Sequence, residues 1–136
     1  DLGWDTREYN AMKAYGTSKL ANLLFMDELH RRATDAGLDL VSVAAHPGLT
    51  GTERQQGEGK GGWLSRVMAT PMAKGVRSQL CAATSPTVRG GELYGPRIAI
   101  WGSATSQDIK PPLVRSDAER LWRISEEMTG VSFPTA

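Results

Sequence analysis

A helical pattern that runs straight into a buried-strand pattern constrains this chain more than any other feature. From about Tyr9 or Ala11 to Ala36 the sequence predicts one long helix, closed by Gly37, the residue type that commonly follows a helix end. Its stretch LANLLFM, Leu20 to Met26, is apolar nearly all round, whereas Asp27, Glu28, Arg31, Arg32 and Asp35 leave the later turns partly solvated. A helix apolar on every side is covered on every side. That predicts a sheet on one flank and a helix, its own or a partner subunit's, on the other. After a short connection, LDLVSVAAH (residues 38–46) has only Ser42 within its apolar core, the pattern of a strand buried on both faces of a parallel sheet. The run ends abruptly at His46-Pro47-Gly48.

Helix followed by strand supplies geometry. In an α/β sheet with the usual crossover connections, a helix that precedes a strand begins at the carboxyl edge of the sheet and runs antiparallel to the strands. Tyr15 and Lys19, in the stretch AYGTSKLANLLF, lie in the early turns, one helical turn apart on one face. The HPG turn lies at the carboxyl end of the following strand. Both are therefore expected at the edge where open α/β sheets bind their ligands. The chemistry such a pair supports is proton transfer: a free phenol releases its proton only near pH 10, and an ammonium one turn away favours the phenolate. In that reading Tyr15 is the acid or base and Lys19 its tuner; otherwise the two are simply neighbours on a helix surface. His46 reads as a structural strand-end residue.

The remainder of the chain reads as a single α/β unit without repeats. Residues 49–62 are too glycine-rich and polar to pack a core and are expected as a loop. Helical patterns follow at Trp63 to Met68 and at Met72 to Thr84, the latter bounded by Pro71 and Pro86. GGELYGPRIAIWG offers an extended run, and Ser116 and Glu119 form an S-x-x-E capping box before a last helix with apolar positions Ala118, Leu121, Trp122 and Met128, stopped by Gly130. With 40% hydrophobic and 23% charged residues in 136, the composition suits one domain with a core. Sixteen basic and fifteen acidic residues, with no basic run, give no surface for nucleic acid or membrane. Cys81, the single cysteine, excludes an internal disulfide and a cysteine zinc site and suits a buried helical thiol in a reducing cytoplasm. No stretch reaches the roughly 20 apolar residues of a membrane span. No metal site is expected. Arg77, Arg89, Arg97 and Arg120 read as solvated surface, and Trp101 and Trp122 as packing residues.

AYGTSKLANLLF and HPGLTGT resemble the Y-x-x-x-K helix and the P-G-x-x-x-T turn of the short-chain dehydrogenase/reductase family. GGELYGP followed by AERLWRISEEMTGV resembles the carboxyl-terminal segment of its retinol-dehydrogenase-like branch. The resemblance covers most of the chain. It implies the carboxyl-terminal part of a doubly wound, Rossmann-type parallel sheet with flanking helices, residues 1–136 forming one partial domain. It also implies an oxidoreductase that interconverts an apolar alcohol and a carbonyl with NAD or NADP. Tyr15 would exchange the substrate proton, and Lys19 would hold the nicotinamide ribose as well as tuning Tyr15. Pro47 and Gly48 would wall the nicotinamide, with Thr50 and Thr52 near its carboxamide. In the family the next region covers the substrate, so Trp63, Leu64 and Met68 become candidate lid contacts and 49–69 a candidate lid.

The family's glycine-rich dinucleotide turn, its Asn and its catalytic Ser would all lie before Asp1, so these 136 residues alone are expected to be inactive. GEGKGG, residues 57–62, matches G-x-G-x-x-G literally, but TERQQ before it is no buried strand. Two function classes remain: the reductase, as a homo-oligomer paired through the 11–36 helix, and a non-catalytic truncated module that self-associates or pairs with a partner. An epimerase or dehydratase of the extended branch, which also uses a Tyr/Lys pair, stands behind both.

Overall fold

The computed structural model describes residues 3–48, 72–98 and 101–133. Chain order is α1 (Ala11–Asp35), β1 (Ala44–Ala45), α2 (Met72–Gly75), α3 (Arg77–Thr84), β2 (Leu93–Ile98), β3 (Trp101–Gln107) and α4 (Arg115–Thr129). The strands form one sheet in the order β1-β2-β3, the first pair parallel and the second antiparallel. Helix α3 packs on all three strands, while α1 packs on β1 and, along more of its length, on α4.

Local chemistry explains the ends of α1. Asn10 is extended, and its Oδ1 accepts the Lys13 N–H at 3.0 Å, satisfying one of the donors that a helix start leaves open. At the far end Gly37 adopts φ +65°, the left-handed conformation that lets the Leu38 N–H turn back onto the Ala33 carbonyl at 2.9 Å. The chain then returns along the helix it has just left. Ser42, the one polar residue in the apolar run, is the buried one: its hydroxyl donates to the Met26 carbonyl at 2.9 Å.

The core gathers Leu24, Met26, Ala33, Tyr94, Ala118 and Trp122. Trp122 of α4 stacks on Phe25 (centroids 5.4 Å, 9° between planes), meets the edge of Phe133 (5.7 Å, 88°) and lies under the Arg32 guanidinium at 4.7 Å. Burial of a side chain this large, with two aromatic neighbours, makes it the main fastening between α1 and α4. Beside it, Glu28 is buried at 1% exposure, with Arg31 reaching both its oxygens (2.9 and 2.6 Å) and the Arg32 Nε reaching Oε1 at 2.7 Å.

Several expectations are corrected. The sheet is mixed rather than all parallel, because β2 and β3 pair as antiparallel neighbours. The run 38–46 is not buried on both faces: Leu38, Leu40 and Val41 are exposed and only two residues enter the ladder, since β1 has a strand neighbour on one side alone among the described residues. For the same reason Leu20 to Met26 is not covered all round; Leu24 and Met26 are buried, but Leu20 and Phe25 remain 46% and 49% exposed. The pattern Met72 to Thr84 divides at Val76 into α2 and α3. No capping box forms in α4: the helix starts at Arg115, one residue before Ser116, so Ser116 is inside it, and Glu119 pairs with Arg115 at 3.0 Å instead. Met128 faces solvent, 74% exposed, and Cys81 is half-buried rather than buried. Gly130 does end α4, at φ +68°. The Trp63 to Met68 helix lies outside the described residues.

Candidate functional site

Tyr15 and Lys19 stand one turn apart in the first half of α1, with the Lys19 ammonium 5.4 Å from the centre of the Tyr15 ring. Tyr15 is 54% exposed. At about 100° per residue, the pair occupies roughly the opposite side of α1 from Thr17, Leu20, Ala21 and Leu24, which form a groove of about 190 Å³ with Asp117, Arg120, Leu121 and Ile124 of α4. The α4 side of the helix is therefore structural, and the Tyr15 side is free of α4.

Two contacts fix the direction in which the HPG turn lies along α1. The bond from Leu38 to Ala33 and the bond from Ser42 to Met26 show the chain returning antiparallel to the helix. Extended chain advances about 3.3 Å per residue and the helix about 1.5 Å. The steps from Ser42 to His46 continue in the same antiparallel direction, toward the N-terminal half of α1, the half that carries Tyr15 and Lys19.

The turn itself is bonded into the sheet. The Gly48 N–H donates to His46 Nδ1 at 3.1 Å, and Gly48 itself adopts φ +71°, a conformation suited to glycine. The other ring nitrogen, Nε2, lies 2.9 Å from Gln107 Oε1 at the end of β3. Gln107 Nε2 in turn donates to the Pro96 carbonyl of β2 at 2.6 Å. Since Nδ1 accepts and a carbonyl oxygen faces Nε2, the imidazole carries its hydrogen on Nε2. Gly95 makes the space: a Cβ there would stand 2.1 Å from His46 Nε2 and 2.7 Å from Gln107 Nε2.

Of the residues expected from sequence, Tyr15 and Lys19 come together on one helix face, and Pro47 and Gly48 sit half-buried at the carboxyl end of β1. Thr50, Thr52, Trp63, Leu64 and Met68 lie outside the described residues. From sequence His46 reads as a structural strand-end residue, and Gln107 carries no sequence signal at all. The position of His46 directly before Pro47-Gly48 was the available clue. Among the described residues no group of three or more His, Cys, Asp or Glu side chains is placed to hold a metal. No helix there is long and apolar enough to cross a membrane.

A nicotinamide coenzyme suits what is present. An exposed ammonium offers donors to ribose hydroxyls, and a left-handed glycine after a proline gives a side-chain-free wall at the sheet edge where such ligands bind.

No protein-family model matches the chain. It is 33% identical over 141 residues to a short chain dehydrogenase/reductase, dpchH, of Colletotrichum higginsianum, covering 90% of this chain and 31% of that protein. It is 31% identical over 140 residues to retinol dehydrogenase 13 of Homo sapiens, covering 99% of this chain and 42% of that one. A crystal structure of an uncharacterised protein from Mycobacterium paratuberculosis matches with a TM-score of 0.77 at 33% identity, over 98% of this chain and 46% of the other. Along nearly its whole length the chain is related to the short-chain dehydrogenase/reductases, retinol dehydrogenases among them, and its fold is part of a Rossmann-type α/β sheet. It spans about a third to a half of the length of the curated relatives it matches.

Proposed function

We propose that this chain carries the proton-transfer half of an NAD- or NADP-dependent oxidoreductase that interconverts an alcohol and a carbonyl. The observation that carries the reading is the Lys19 ammonium beside the Tyr15 ring, on the face of α1 away from α4. Tyr15 would give its phenolic proton to the carbonyl oxygen during reduction and take the hydroxyl proton during oxidation. Lys19 would stand beside the phenol as its cationic neighbour and bind the ribose hydroxyls. Pro47 and Gly48 would hold the ring face, with Thr50 and Thr52 beyond them, and Trp63, Leu64 and Met68 are proposed substrate contacts on the 49–69 segment. The chemistry a nicotinamide supplies when bound is hydride donation or acceptance. The kinship with short-chain dehydrogenase/reductases supports the class of reaction.

Tyr15→Phe in the full protein is the test, since phenylalanine keeps the ring and removes the proton. Turnover of a carbonyl substrate with NADH or NADPH should fall by about 10²-fold or more, the usual scale of general acid–base catalysis, while coenzyme binding stays intact. Wild-type turnover would overturn the assignment.

A further inference from the structure

Resting on that reading of the site, we propose that His46 is a positioning residue for the coenzyme wall: its imidazole bolts the Pro47–Gly48 turn to β2 and β3 through Gln107. Three strands contribute. His46 leaves the end of β1, Gln107 ends β3, and the Pro96 carbonyl belongs to β2. Each polar atom in the chain of bonds has one task. The Gly48 N–H is accepted by Nδ1, Nε2–H is accepted by Gln107 Oε1, and the Gln107 amide hydrogen is accepted by Pro96.

Directionality makes this more than packing. An imidazole bonded at both nitrogens has its ring plane fixed, so the turn that hangs from Nδ1 is fixed in distance and orientation relative to the sheet. Gly95, buried in β2, is needed for the arrangement because a side chain there would occupy the site of the His46–Gln107 bond. A glycine turn is otherwise among the most mobile pieces of backbone. Held this way, it meets a flat ring without first being ordered, so less binding free energy is spent on organisation.

The experiment compares His46→Ala, His46→Asn and Gln107→Leu in the full protein. Asparagine places its Oδ1 where it accepts the Gly48 N–H as an Asx turn does, but is too short for Gln107. Titration with NADH and NADPH, followed by nucleotide fluorescence, should show His46→Ala binding about tenfold more weakly, the scale of one lost hydrogen bond. Gln107→Leu, which cuts the link to the sheet, should be weakened to a similar degree, and His46→Asn, which keeps the Gly48 bond and loses Gln107, should recover only part of the loss. kcat at saturating coenzyme should move by less than about threefold, because the residue acts through the turn and not on the reacting atoms. Nitrogen NMR of the wild-type imidazole should report hydrogen on Nε2, and the Gly48 amide should exchange more slowly than in His46→Ala. Unchanged coenzyme affinity in a folded His46→Ala or Gln107→Leu, an asparagine variant that restores wild-type affinity, or hydrogen on Nδ1 would each overturn the proposal. Tyr15→Phe with undiminished turnover would remove the reductase reading, yet leave the tautomer and exchange results to judge the bolt by itself.

Discussion

Replacing Glu28 with glutamine isolates the charge at the centre of the α1 cluster without changing its shape. The carboxylate is 1% exposed, and burial by itself would raise its pKa. Hydrogen bonds from Arg31 and Arg32, with their charges, outweigh that and hold it below the ordinary value. Glutamine keeps one acceptor but turns an amide N–H toward a guanidinium, donor against donor. Breaking a buried pair usually costs about 3–5 kcal/mol. Here the Arg31 and Arg32 side chains keep 30% and 25% of their exposure, so water replaces part of the loss, and about 2–3 kcal/mol is expected. For a urea dependence of roughly 1.5 kcal/mol per molar, that moves the unfolding midpoint down by roughly 1.5–2 M at pH 7.

The same charge sets a pH dependence. A carboxyl whose folded pKa is depressed is protonated first in the unfolded chain as pH falls. Its stabilisation is complete above the unfolded value near 4.5 and disappears as pH drops through the lower folded value. The gap between wild type and Glu28→Gln should therefore be full at pH 7, begin to narrow below the unfolded value near 4.5 and close only as pH falls through the lower folded value, where both side chains are neutral. A gap under about 0.5 kcal/mol at pH 7, or one that persists unchanged to pH 3, would refute the reasoning.

Two further outcomes follow from the faces of α1. Trp122→Ala removes the ring held between Phe25, Phe133 and Arg32 and should cost about 3–5 kcal/mol in thermal or urea unfolding, the range for large aromatic truncations; a loss under about 1 kcal/mol would mean that α1 and α4 are fastened elsewhere. The exposed Met12, Leu20 and Phe25 favour self-association of the isolated 136-residue chain, the non-catalytic module of the alternative reading, so sedimentation at micromolar concentration should show dimers or larger species, and a well-folded monomer would count against it.

What the sequence disclosed follows from how local each signal is. The long helix was legible because Gly37 and an unbroken apolar period both belong to adjacent residues. The Tyr15–Lys19 pair was legible because helical spacing alone brings the two together. The exposure of Leu40 and Val41 was not legible, because an apolar run records what a segment can bury and not which neighbours this chain supplies. S-x-x-E failed as a cap for a related reason: the helix starts one residue early, at Arg115, and Glu119 is drawn to that residue's charge. Gln107 was invisible since its partner is 61 residues away, and only the sheet brings strand ends so far apart in sequence into register.

Helix α1 is also a lever. Its buried anchorage begins at Leu24, and Tyr15 lies nine residues, about 14 Å, beyond that fulcrum. A rigid arm of that length converts a tilt of about 5° at the anchor into a displacement of about 1.2 Å at the phenol, a shift that would cost the proposed proton transfer about a hundredfold. Substitutions around Trp122, which never approach the substrate, would then be read at the tip of the arm as changes in rate.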